Sequence, residues 1–115
     1  MTTSAFFDLT RAQEFALEDD QVRELVVTFE ESLAQEIGVI QAALVSGEAQ
    51  KVELSLHALK GFMPLFVEPN LAQTITDLYQ TSRQQPLSVT APAFTALVPT
   101  LRALQAEVQA WLRPL

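Results

Sequence analysis

The chain contains no cysteine, which excludes a disulfide framework and thiolate metal sites. Histidine, tryptophan and tyrosine occur once each, and one histidine without cysteine cannot supply the usual nitrogen and sulfur ligand sets of transition metals. Only 3 glycines are present in 115 residues, and none forms the Gly-rich loop that cradles nucleotide phosphates. ATP binding and autokinase activity are therefore not expected. Basic residues are scarce as well, 7 Lys and Arg against 14 Asp and Glu, for a formal net charge of -7. A field of that sign repels nucleic-acid phosphates and anionic membrane surfaces, so neither is an expected partner. No uninterrupted apolar run approaches the roughly 18–20 residues that span a bilayer. The opening residues 1–8 lack the charged and then apolar order of a signal segment. A soluble protein of the reducing cytoplasm fits these absences.

What is present reads as helix. Residues counted as hydrophobic make up 49% of the chain, enough for a continuous core in one domain spanning residues 1–115. Asp8 suits the N-cap of a short opening helix over residues 8–17, and Glu18-Asp19-Asp20 suits the start of a longer one. From residue 21 to 45, Val22, Leu25, Val26, Phe29, Leu33, Ile37, Ile40 and Leu44 recur at three- and four-residue steps, a single buried stripe. Gly38 interrupts that stripe at a cost of about 1 kcal/mol in propensity without ending it, and Gly47 reads as the stop.

A helix over residues 48–66 follows. On its wheel Val52, Leu56, Leu59, Met63 and Phe66 define one side, and Leu54, Ala58, Phe62 and Leu65 extend the apolar surface around the cylinder. A narrow wet strip is left, holding Glu53, His57, Lys60, Gly61 and Pro64. Pro64 has no N–H to donate and its ring crowds the Lys60 carbonyl, so a kink is expected there. Pro69 opens another amphipathic helix, with Leu71, Ile75, Leu78 and Tyr79, to about residue 84. Residues 85–90 read as a loop. After Pro92, helical spacing returns in Phe94, Leu97, Leu101, Leu104, Val108, Trp111 and Leu112, with Pro99 an irregularity or an alternative start. No strand pattern, repeat or low-complexity tract competes. The expected fold is all-α, an antiparallel four-helix bundle with a short additional N-terminal helix. A monomer is expected, and exposure of Trp111 or Phe94 would point to an interface.

On a helix His57, Lys60 and Gly61 share one face, so a nucleophile, a cation and bare backbone occupy one exposed spot. The run His57-Ala58-Leu59-Lys60-Gly61, in the order of parts just described, resembles the histidine-containing phosphotransfer domain of multistep two-component signalling. The family's short motif is His-x-Leu-Lys-Gly, preceded by a long helix with a phenylalanine and by an Ala-Leu pair before a Gly turn. Phe29, Ala43-Leu44 and Gly47 stand in those places. The likeness covers most of the chain.

The resemblance implies a phosphoryl carrier: His57 is the phosphoacceptor, receiving the group from a receiver-domain aspartate and passing it to another receiver. Partners would be receivers of response regulators or hybrid histidine kinases. The divalent metal for transfer would come from the partner receiver, the chain having no cofactor of its own. A neutral imidazole nitrogen is nucleophilic near neutral pH, and an acceptor on the other nitrogen fixes the tautomer. Glu53, one turn earlier, is the candidate acceptor, with a merely solvated pair as the alternative. Lys60 would stabilise charge on the moving group and Gly61 would admit the partner aspartate. The chain departs from the family where small residues usually follow Lys-Gly: Phe62 and Met63 are bulky, Pro64 interrupts the helix, and Val67 replaces a common glycine. A degenerate adaptor that docks a receiver or kinase without phosphotransfer is the second reading, and a helical bundle of unrelated binding role the third. Ser55, two residues from His57, points elsewhere on the helix and forms no local nucleophile and base pair.

Overall fold

The computed structural model describes residues 5–15 and 18–113, and the protein is all-α. The opening helix, α1 (Thr10–Phe15), is shorter than expected. Asp8 Oδ1 accepts the Thr10 N–H at 2.9 Å, and the hydrogen bonds from Thr10 hold its carboxyl below the usual range. Residues 16 and 17, the end of the expected helix, lie outside the described residues.

The long stripe becomes α2 (Asp19–Ser46). Glu18 caps it through a reciprocal box in which Gln21 Oε1 accepts the Glu18 N–H at 3.0 Å, and Asp19 and Asp20 meet the positive end of the dipole. Gly47 ends the helix at φ 75°, a left-handed conformation that glycine takes without steric cost. At about 1.5 Å per residue α2 is about 42 Å long, which accounts for the 43 Å long axis of the molecule.

Beyond the turn, the Ser46 hydroxyl donates to Glu48 Oε2 at 2.6 Å and Lys51 Nζ lies 3.1 Å from Oε1. The Ser46 bond first, and Lys51 second, hold the Glu48 carboxyl below its ordinary value. Its folded pKa being depressed, the stabilisation it brings is present above the unfolded carboxylate value and lost as pH falls through the folded one. Carboxyl titration by NMR should show Ser46→Ala moving Glu48 back up, and an unmoved titration would assign the shift to another source.

The helix α3 (Ala49–Phe62) stops four residues before the expected end and passes into a 3₁₀ turn, Met63–Leu65. Pro64 enforces this, since it cannot donate to the Lys60 carbonyl. Arg11 donates to the Pro64 carbonyl at 2.9 Å, tying α1 to the turn. Glu68 accepts the Asn70 and Leu71 N–H groups and so caps α4 (Pro69–Gln84), with Pro69 in the first turn as expected.

The last helix corrects the sequence reading. Residues 87–90 are helical rather than loop, and α5 (Leu87–Leu112) runs through both Pro92 and Pro99. Both prolines face solvent, as do Ser88 and Thr95, whose carbonyls lose their helical partners and can be hydrated. Burial of Phe94, Leu101, Leu104 and Val108 on the opposite side holds the helix together. Averaged over a window rather than scanned for an unbroken run, α5 is long and apolar enough by length and composition to cross a membrane; in this fold it packs on α2 and α4.

Neighbouring helices close a ring: α2 packs on α3, α3 on α4, α4 on α5, and α5 on α2. The core between them includes Phe29, Leu33, Ile37, Leu56, Leu59, Ile75, Phe94 and Leu104. The N-terminal arm lies across one end, with an isolated antiparallel bridge between Phe7 and Val67. Glu107 pins the arm to α5 by accepting the N–H groups of Ala5, Phe6 and Phe7 at 2.8–3.0 Å. Trp111 is 40% exposed and meets Phe7 edge-on, whereas Phe94 is fully buried.

Thr90 is also fully buried, and its hydroxyl has no hydrogen-bond partner among the described residues. Thr90→Val keeps the shape and removes the stranded group, so unfolding in denaturant should show a gain of about 1–2 kcal/mol. An unchanged or lower midpoint would mean that the hydroxyl is satisfied.

Candidate functional site

The outer face of α3 carries the site. Val52, Ser55, Leu56 and Leu59 are its buried positions, and with those turned inward His57 is carried outward and exposed, Lys60 half-buried beside it and Gly61 exposed. Ser55 is buried and donates to the Glu36 backbone carbonyl at 3.2 Å and to Glu36 Oε1 at 3.1 Å. It staples α3 to α2 and does not approach His57 as a nucleophile. The wet face is wider than the expected strip, because Leu54, assigned to the apolar surface, is 62% exposed. Leu54 falls outside the arc that α2 and α4 cover.

The bulky residues after the Lys-Gly pair are absorbed by the core. Phe29 of α2 meets Phe62 edge-on at 5.8 Å and stacks on Phe66 at 4.4 Å, while Met63 is fully buried. Neither phenylalanine covers His57. Pro64 is half-buried in the 3₁₀ turn.

Two residues that the sequence reading did not connect with His57 come from α4. The Tyr79 ring lies 5.2 Å from the imidazole at an interplanar angle of 53°. Lys60 Nζ stands 5.0 Å and the Arg83 guanidinium 5.7 Å from the centroid of the same ring, within the range of cation–π attraction. Arg83 Nε is also 3.7 Å from Glu53 Oε1, with both side chains well exposed. A pair this open contributes little to stability. The carboxylate expected to orient the imidazole is therefore paired with Arg83, and among the described residues no hydrogen bond joins Glu53 to His57. Tyr79 had been visible as part of the α4 stripe, and Arg83 lies one turn on, on the same face; only the packing of α4 on α3 brings Tyr79 to His57 and Arg83 to Glu53.

A Cβ added at Gly61 would meet nothing within 4 Å among the described residues. No packing among the described residues requires glycine there, and Gly61 is the next-to-last residue of α3. Gly38 is equally open, so openness by itself does not mark a docking point. Among the described residues, no group of three or more His, Asp or Glu side chains is arranged to hold a metal ion.

The site offers an accessible imidazole, two cations, one carboxylate and an aromatic ring across the outer faces of α3 and α4. Such an array can present a nitrogen nucleophile to a macromolecular partner and neutralise an incoming anion. No family model, curated protein or solved structure matches this chain.

Proposed function

We propose that the chain is a phosphorelay carrier of the histidine-containing phosphotransfer type. The reading rests on one observation: the only histidine stands exposed against Tyr79, whose ring also lies within 6 Å of the Lys60 and Arg83 cations, while Phe62 and Phe66 turn onto Phe29. A ring buried beneath them would have favoured the adaptor.

In the forward step the lone pair of an imidazole nitrogen forms a P–N bond as the P–O bond of the partner's aspartyl phosphate breaks. The bonding electrons leave with the aspartate carboxylate, and the second ring nitrogen keeps its proton. Lys60 offsets charge on the phosphoryl oxygens during transfer, and Gly61 gives the partner's carboxylate room. The return step to a second receiver is the reverse. The chain binds no ATP and does not phosphorylate itself; the divalent metal belongs to the partner receiver.

The finer architecture is part of the same proposal. Helices α2 to α5 form an antiparallel four-helix bundle, with α1 the short additional N-terminal helix. The ring of helix contacts supports this, as do connections too short for parallel neighbours. The protein works as a cytoplasmic monomer and uses neither nucleic acid nor a membrane.

The test is to mix the protein with phosphorylated receivers from its own cell and follow labelled phosphate. Label should reach the wild type and then a second receiver. No transfer from any receiver to a well-folded wild type overturns the carrier reading and leaves the docking adaptor.

A further inference from the structure

We propose that Tyr79 is a positioning residue for this site, its ring holding the His57 imidazole by ring packing and gathering Lys60 and Arg83 into one array that receives the phosphoryl dianion. The phosphoryl role rests on the carrier reading above, whereas the array itself rests on geometry.

A nucleophilic imidazole is usually fixed by a hydrogen-bond acceptor on its second nitrogen. Here the nearest carboxylate on α3, Glu53, is paired with Arg83, and the group against the imidazole is an aromatic ring at 5.2 Å. Tyr79 can serve as a fixed support because it is half-buried and packed against the core. It restricts the imidazole by contact and leaves both ring nitrogens without a hydrogen-bond partner from the described residues.

The cations use the same ring. Lys60 and Arg83 come from different helices and repel one another, yet both stand within 6 Å of its centroid. A cation held by the ring's electrons keeps its N–H donors available for phosphate oxygens. Among the described residues Glu53 is the carboxylate that pairs with this group, and the arriving phosphoryl oxygens compete with it for the Arg83 guanidinium.

Phosphoramidate, a small phosphoryl donor, tests this without a receiver. Its P–N bond breaks as the imidazole P–N bond forms, and ammonia leaves with the protons that the donor already carries. Tyr79→Phe keeps the ring and should phosphorylate at close to the wild-type rate. Tyr79→Leu and Tyr79→Met keep apolar bulk and should be slower by about tenfold, the scale of losing an orienting partner. Proton NMR of the His57 ring supplies a readout that stability alone does not move. A ring-current shift should be present in the wild type and the Phe variant and absent from the apolar ones, with melting curves establishing which variants fold.

A wild type without that shift, or apolar variants with both shift and rate intact, overturns the positioning role. The wild-type shift decides the contact even where the apolar variants fail to fold. A wild type that shows the shift but takes phosphate from neither phosphoramidate nor any receiver overturns the carrier reading, and the phosphoryl role of Tyr79 with it.

Discussion

His57→Gln is expected to abolish phosphoryl acceptance completely while leaving the helical fold intact. Glutamine nearly fills the space of histidine and keeps polar atoms at the surface, but its amide nitrogen has no free lone pair to form the P–N bond. The ring is exposed, so its loss should change stability by no more than about 0.5 kcal/mol. Label transfer from phosphorylated receivers and from phosphoramidate checks the first half, and urea unfolding the second. Label remaining on the variant would locate the acceptor elsewhere. The chain has no second histidine, so no other imidazole can substitute.

Phe29→Ala should have the largest effect on stability, a loss of about 3–5 kcal/mol, as expected for truncating a buried aromatic ring. Phe29 is 2% exposed and is the α2 residue on which both Phe62 and Phe66 rest. Removing it opens a cavity and also breaks two aromatic contacts, each contributing about 0.5–1.5 kcal/mol beyond simple burial. The damage falls where α3 ends and the 3₁₀ turn begins, next to Gly61. Equilibrium unfolding in urea gives the magnitude, and a loss below about 1 kcal/mol would mean that the aromatic cluster is not a principal support of the fold. Hydrogen exchange should locate the loosening at residues 59–66. Phosphoryl acceptance should fall at temperatures where the truncated protein still retains most of its helix, since the lysine and glycine depend on that end of α3.

Much of the fold was legible in the residues. The stripe of α2 ran from Val22 to Leu44, and its limits were set by chemistry local in sequence: acidic side chains at the N-terminal turn and a positive-φ glycine at the end. Pro69 behind Glu68 marked the start of α4 for the same reason. Sequence reasoning failed where a local rule met a stronger tertiary force. Pro92 and Pro99 argued against one continuous helix, yet α5 persists because its apolar face is buried while its freed carbonyls face water. At Pro64 the rule prevailed and ended α3 early, since the residues beyond could still bury Met63 and Phe66 through a tighter turn.

The candidate site divides along the same line. His57, Lys60 and Gly61 lie within one turn of one helix, so spacing alone put them on a common face, and burial of Leu56 and Leu59 turned that face outward. Spacing could not say what α4 brings to it. The environment of Glu53 depends on Arg83, thirty residues further on, and the support beneath His57 is a tyrosine that read simply as part of another helix's stripe. By itself the sequence determined an all-helical chain and an exposed imidazole beside a lysine, because helical periodicity and capping act over a few residues. Only the tertiary structure decided that Tyr79 and Arg83 complete the group, because the register of α4 against α3 is fixed by how their buried side chains interlock, a relation that no local pattern encodes.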